Sequence, residues 1–536
     1  MRSVTQFLGV ITVVAVLAGC GSSSGGGSTP GFVEPGVQTA TIEVDLTTLA
    51  VSVAGQPTNL VLAPQGNATW AGAGTPLSFD LGITNNYGRI LFNIKPTIDS
   101  TNDAGAAPMG DGMYDGKPFF YWGHQGLDLA ASRTNTITIN NVTISGTLTI
   151  EMTIHNHPMM FGTGQYYSDE MRTCDSSGTN MQGIIPEFRS GTTLGLAGYG
   201  SPGSSSGHTN GFSGVITSDS RYIYWGARNQ PGIIRVDTIT MSAVMTTDLT
   251  GNNSIKHDDD GTGSLGFVRG VCMSPDEQFL YAVLSTGGHM YEGVDNEFEA
   301  LGMTLELVKV RRSDMAILGR AVVLSNVDEV YGSRPHMSAD GSLVAFCTKT
   351  DDTTSGNPTT VRSKVFVVTT STMSFATHDL SGDTASLGMV ALSPDGSEIY
   401  YTARDDSNNA LHRYVRASGV ITEFASSNPK VGASSTPRTQ DMRWIGGRLY
   451  VSANQDGLHV YDPNAATYTQ LAVSNFCGPI QVALDEQSVF VQQEDSDVTW
   501  NFAIPAGTPI NAPATGASPI DSTSVDNCHA FIMTHR

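Results

Sequence analysis

Basic residues are scarce in this sequence. Of its 536 residues, 28 are Lys or Arg against 50 Asp or Glu, a formal balance of −22, and charged residues of both signs make up only 15%. A chain so poor in cations offers no basic patch to a phosphate backbone or an anionic lipid surface, which argues against nucleic acid as a partner. Long apolar runs are lacking too. The stretch from Phe7 to Ala18 is too short to span a bilayer as a helix, and no other stretch is long and apolar enough. None of the six cysteines stands in a C-x-x-C pair, which removes haem attachment and zinc knuckles from consideration. No G-x-S-x-G elbow, Walker loop or H-E-x-x-H helix is present, so the familiar hydrolase, nucleotide and zinc-protease chemistries have no signature here.

What is present begins with an address. In MRSVTQFLGVITVVAVLAGC a single Arg2 precedes the apolar stretch, which has the shape of an export signal. Leu17-Ala18-Gly19-Cys20 resembles the bacterial lipobox; the alternative is an ordinary signal peptide with a chance cysteine. The resemblance implies a signal peptide over 1–19, cleavage before Cys20, and lipidation of that cysteine. Several acyl chains hold a soluble domain stably on a membrane. Gly rather than Asp at position 21 favours, by the same resemblance, the outer membrane, with the protein at the cell surface or on the periplasmic face. Residues 20–35 are a Gly/Ser/Pro leash. Five cysteines remain beyond Cys20, an odd number, which leaves at least one free thiol unless a bond forms between chains.

The rest reads as all-β. Over 36–158, TATIEVDL, TPLSFDLGI, RILFNIKPTI, KPFFYWG, NTITINNVTI and TLTIEMTIH are short alternating runs separated by turn residues, as in a β-sandwich. Their order resembles bacterial immunoglobulin-like surface modules. Residues 159–182, rich in Gly, Ser and Met, read as a connecting segment. From 183 to 536 a motif recurs. FSGVITSDSRYIYW, VRGVCMSPDEQFLYAV, RPHMSADGSLVAF and GMVALSPDGSEIYY each join a half-buried strand to a second strand through a tight turn carrying Asp or Gly. Weaker copies follow in TPRTQDMRWIGGRLYV and GPIQVALDEQSVFV. The copies lie roughly 40–65 residues apart, close to the spacing of four-stranded repeats. SPDE, SADG and SPDG resemble the TolB/YVTN-type, WD40-like β-propeller repeats of bacterial envelope proteins. That resemblance implies a propeller; six copies are visible and the chain ends suggest a seventh, so seven blades are favoured over six or eight. Closure is expected from both chain ends, with an inner hairpin from 518–536 and two outer strands from 183–197.

Propellers take ligands at the mouth of the central channel, where the innermost strands begin. Arg269, Arg334, His336 and Arg438 fall at such positions and could share an axial pocket for an anion, since a guanidinium presents a planar set of donors to carboxylate or phosphate. The competing reading is that they cap neighbouring blades or pair with local acids. His155 and His157 share one face of a strand as a candidate metal pair, with Asp169 or His124 conceivable as a third ligand. Asp258 and Asp260, in His257-Asp-Asp-Asp-Gly261, could hold a structural Ca²⁺ but lack EF-hand spacing, so a solvated loop competes. Met159, Met160, Met171 and Met181 read as packing beneath an irregular segment. No catalytic residue and no cofactor is assigned. The expectation is a lipid-anchored platform that binds a protein, peptide or glycan. The alternatives are an envelope enzyme, lactonase-like or quinoprotein-like, acting on a small anion, and a scaffold subunit of an outer-membrane assembly.

Overall fold

The computed structural model describes residues 38–533 apart from short breaks and the longer stretches 164–170, 186–210, 251–263, 350–363, 381–386, 404–409, 425–438 and 516–529. No helix among the described residues is long and apolar enough to cross a membrane.

The first strand, Gln38–Asp45, alternates outward polar residues with buried Ala40, Ile42 and Val44, the period of a half-buried strand. It pairs antiparallel along its whole length with Thr147–His155, so the two ends of this region lie side by side. Thr147–His155 pairs in turn with Lys95–Thr101. A second sheet is built on Thr75–Asn85, flanked by Leu60–Pro64 and Ser132–Val142. The inward faces meet in one cluster that includes Ile42, Val44, Leu148 and Ile150 from the first sheet and Leu77, Phe79, Leu81, Ile137 and Ile139 from the second. Each such side chain removed from water contributes about 1.5–3 kcal/mol. Buried Trp122 keeps its indole N–H satisfied by donating to the Leu81 carbonyl at 3.3 Å. Residues 38–155 are therefore a β-sandwich.

Beyond it the strands come in antiparallel fours. In chain order the sheets cover 211–245, 264–327, 331–379, 387–424, 439–472 and 477–515, here blades 1 to 6. In blade 3 the innermost strand is broken into two short pieces, Tyr331–Gly332 and His336–Met337. A further sheet runs Met181–Ile185, Met171–Asp175, Met159–Thr163, Ala530–Met533 from outside to inside. The innermost strand of each blade touches that of the next. Ala530–Met533 touches both blade 1 and blade 6, so the array closes on itself. Closure covers the apolar sheet faces that the end blades of an open array would expose, and leaves only short strand edges.

Both chain ends make the closing sheet, but in different proportions from those expected. Residues 159–182 are not a connector: three strands of the closing sheet lie within or begin in them. The far end adds one described strand rather than a hairpin, while 186–197 lie outside the described residues. The physical reason is the Met- and Gly-rich composition of 159–185, which hid strands whose partner lies more than three hundred residues away.

The recurring turn is a hydrogen-bonded unit. In blades 1 to 4 the hydroxyls of Thr217, Ser274, Ser338 and Ser393 donate to the Asp two residues on, at 2.5–2.7 Å. The same hydroxyls accept the backbone N–H five residues on, at 2.9–3.0 Å. The turn's fourth position is left-handed in all four copies, occupied by Ser220, Glu277, Gly341 and Gly396 with φ of 57–72°. Gly341 is required twice over, since a Cβ there would also lie 2.6 Å from the Pro275 ring of the preceding blade. Between blades lie separate apolar clusters, such as Tyr224, Val271, Leu280 and Val308 between blades 1 and 2, and Tyr400, Leu411, Met442 and Leu449 between blades 4 and 5.

The sandwich is docked on blade 1. Ile90 and Phe92, from the connection between its two sheets, are buried among Ile223, Trp225, Ile234 and Val236. The Gly126 N–H donates to the Thr238 carbonyl at 3.1 Å. At the margin, Arg221 bridges Asp128 of the sandwich and Asp237 of the blade, at 3.1 and 3.2 Å.

Candidate functional site in the central channel

The innermost strands share a local irregularity. Register shifts against the second strand fall between Gly211 and Gly214, Val268 and Gly270, Leu387 and Val390, Thr439 and Asp441, and Cys477 and Ile480. In blade 3 the same place is the break at Ser333-Arg334-Pro335, where proline supplies no N–H to the ladder. Ser333 compensates, its hydroxyl accepting the Cys347 N–H at 2.9 Å. Such irregularities re-aim side chains, here towards the axis.

A cavity of about 330 Å³ lies there, lined from the innermost strands of blades 1 to 5. Arg334, His336, Asp441 and Arg443 supply its polar groups, among apolar side chains such as Val215, Met389 and Trp444. Asp441 is the hub. One of its carboxylate oxygens accepts the Met442 N–H at 3.0 Å. The other accepts the Ile480 N–H of blade 6 at 3.1 Å and the Arg443 Nε–H at 3.1 Å, with Arg334 Nη1 at 3.7 Å. One acid thus ties blades 3, 5 and 6 together around the channel.

His336 Nδ1 accepts the Leu392 N–H of blade 4 at 3.1 Å, which puts the ring proton of the neutral form on Nε2. Burial pushes this imidazole down to about 4, against the pull of the Asp441 charge, with Arg443 adding to the depression. The ring is therefore neutral at pH 7. Cys272 also lines the cavity, and burial pushes its thiol up, far from the thiolate that nucleophilic chemistry requires.

Of the four expected channel residues, Arg334 and His336 come together. Arg269 sits half-buried at the blade 2 bulge and is not part of the cavity lining, so the shared pocket does not include it: the bulge takes the place of a regular inward position. Arg438 lies outside the described residues, as do Cys20, Asp258, Asp260, His157, His124 and Asp169. His155 is described, with its Nε2 3.4 Å from the Thr97 hydroxyl. No group of three or more His, Cys, Asp or Glu that could hold a metal occurs among the described residues. Asp441 and Arg443 were missed by sequence reasoning. The signal was there in TQDMRW, where period-2 alternation puts an acid and a cation on one face of an innermost strand.

The closed array of four-stranded sheets defines this chain as a β-propeller protein with an N-terminal β-sandwich docked on one blade. No family model and no curated protein sequence matches it. Among solved structures the chain is similar to a functionally unknown protein from Desulfotomaculum acetoxidans, at 11% identity and a TM-score of 0.43 over 71% of this chain and 99% of that one. It is also similar to a protein from Lactobacillus plantarum, at 14% identity and 0.43 over 71% and 99%. A periplasmic gluconolactonase from Pseudomonas aeruginosa matches at 13% identity and 0.45 over 70% and 99%.

Proposed function

We propose that this chain is a lipid-anchored protein of the bacterial outer membrane, held through Cys20, which presents its propeller as a platform for binding a protein, peptide or glycan partner. Its sandwich, read as an immunoglobulin-like module, serves as a rigid base, because Ile90 and Phe92 fix it to blade 1 rather than leaving it to swing. The observation that carries binding over catalysis is the state of the channel's reactive groups. Asp441 has both oxygens engaged, Arg334 is held beside it, His336 spends its lone pair on a backbone N–H, and the Cys272 thiol is protonated. A general base needs a free lone pair and a nucleophile needs activation. His336 and Cys272 offer neither, Arg334 has no lone pair to offer, and three of the four lone-pair sites of Asp441 are taken, so the site is better suited to hold than to react.

The test sets the purified full-length chain against a panel of sugar lactones, beside a Arg334→Ala/His336→Ala double variant. Hydrolysis no faster than that of the double variant is expected. Turnover that disappears in the double variant would move the conclusion to the envelope enzyme. The anchor is tested separately: Cys20→Ala should shift the folded protein to the soluble fraction, and its persistence in salt-washed membranes would remove the lipid tether.

A further inference from the structure

We propose that the channel cavity is a binding site for a small organic monocarboxylate carrying an apolar tail. This goes beyond the partner-binding reading; both draw on the channel's groups, but lactone turnover and membrane fractionation test that reading, whereas the affinity of a small carboxylate tests this one.

The cavity's charge is the first argument. Two guanidinium groups face one carboxylate, and the imidazole is neutral, which leaves one positive charge in a chain whose formal balance is −22. A single residual charge matches a monoanion better than a phosphate dianion. The donors are the second. Arg443 commits its Nε–H to Asp441, and its two Nη groups make no further bond among the described residues. His336, its Nδ1 occupied by the Leu392 N–H, presents Nε2–H with no other bond among those residues. A fork of guanidinium N–H groups and one imidazole N–H suits the two oxygens of a carboxylate. Asp441 does not compete for the ligand's place, because its oxygens already hold two backbone N–H groups and Arg443.

The walls are the third argument. Val215, Met337, Met389, Met442 and Trp444 surround the polar cluster, and methionine adapts its shape to unbranched chains. Trp444 is itself fixed, edge-on to Tyr400 at 5.3 Å between ring centres. A few convergent polar groups in an apolar cavity of some hundreds of Å³ is the usual composition of a small-molecule site.

The probes are hexanoate and its neutral isostere hexanamide, titrated calorimetrically into the full-length chain. Hexanoate should bind at least about ten-fold more tightly than hexanamide, the order expected of a charge-assisted pair. Arg443→Gln, at a partly exposed side chain, should bring that ratio close to one while hexanamide binding persists. Asp441→Asn, which removes the negative charge that offsets one guanidinium, should raise hexanoate affinity several-fold, and an unchanged or lower affinity in a folded variant would count against the charge argument. Equal binding of the two probes, binding of neither, or an undiminished ratio in Arg443→Gln would overturn the site. Should Arg443→Gln lose its fold by circular dichroism, His336→Ala reads the same ratio, and there too an unchanged ratio is fatal.

Discussion

The sandwich and the propeller bury similar side chains and distribute them differently. In the sandwich, both sheets contribute to one continuous cluster, from Ile42 and Leu148 across to Leu77 and Ile139. In the propeller, apolar clusters are separate and each belongs to two neighbouring blades. The first arrangement is a domain core of the ordinary kind. The second is close to one-dimensional, with each unit held mainly by its neighbours and the last contact supplied by ring closure. A lesion in the sandwich therefore stays within one cooperative unit, whereas one between blades reaches the channel all of them share. The seam at Ile90 and Phe92 joins the two regimes, because it places sandwich side chains in a blade cluster.

The seam is where that contrast is most easily broken. Phe92→Ala empties a buried aromatic site between the two regions and should cost about 3–5 kcal/mol, the usual range for such truncations. By calorimetry it should also separate sandwich and propeller melting into two transitions. Ile139→Ala, buried wholly within the sandwich, should cost about 2–5 kcal/mol without that separation. A single unshifted transition in Phe92→Ala would mean that the two regions are not coupled through this contact.

Next in size is the His336 ring, a test peculiar to the propeller. The imidazole is held down to about 4 in the folded chain against 6.5 when unperturbed. Between those values the unfolded chain binds a proton that the folded chain refuses, so acidification through that window lowers stability, and the loss levels off below about pH 4. The shift corresponds to roughly 3 kcal/mol, and channel solvent screening reduces the expected loss to about 2 kcal/mol. His336→Gln should flatten the dependence. Urea midpoints measured from pH 7 to pH 4 check it, and parallel curves for both proteins would count against the buried neutral ring.

A smaller effect separates the copies of the propeller turn. Gly341→Ala places a Cβ in a left-handed position and against Pro275, and should cost about 1–3 kcal/mol. Glu277 occupies the equivalent position one blade earlier and already tolerates the left-handed backbone, its carboxylate accepting the Ser218 N–H at 2.6 Å. Glu277→Gly exchanges that bond for relief of backbone strain and should change stability by less than about 1 kcal/mol. Chemical denaturation of the two variants compares them directly. An equal loss in both would show that the turns are not held in the way their hydrogen bonds imply.

The turns were legible in the sequence because their chemistry is local: Ser or Thr with Asp two residues on sets the reversal in all four copies, and Gly takes the left-handed fourth position in two of them. The seam was not legible, since nothing in RILFNIKP distinguishes Ile90 and Phe92, which face blade 1, from Leu91 and Ile94, which face the sandwich core. The channel lay between these extremes. Arg334 and His336 could be placed because they adjoin the strong SADG copy, while blade 5 carries a degenerate copy whose bulge at Thr439–Asp441 resets which residues face inward. Arg438, expected there, lies outside the described residues, and the described lining from blade 5 includes Asp441 and Arg443. An acid in an acidic chain gave no reason to be singled out until its partners were in view.

The most local effect expected belongs to the sandwich. Asp103 accepts the Thr143, Gly105 and Ile144 N–H groups and the Thr143 hydroxyl, fastening one loop to another across the sandwich edge. The Thr143 N–H bond foremost, then the others, holds its carboxyl down to about 2 against an ordinary 3.8. Its contribution is therefore complete above about pH 4 and is lost as pH falls towards 2, a window below that of His336. The turn aspartates Asp276, Asp340 and Asp395 are also held low, chiefly by the hydroxyls of Ser274, Ser338 and Ser393, so the propeller weakens further in that range too. Acid should thus loosen the propeller first, between pH 6.5 and 4, and both regions below that. Asp103→Asn gives up part of the acceptor set and should speed hydrogen exchange at the Thr143 and Ile144 amides at pH 6 while leaving blade amides unchanged. Equal protection in wild type and variant would show that the loop is held by its packing rather than by this carboxylate.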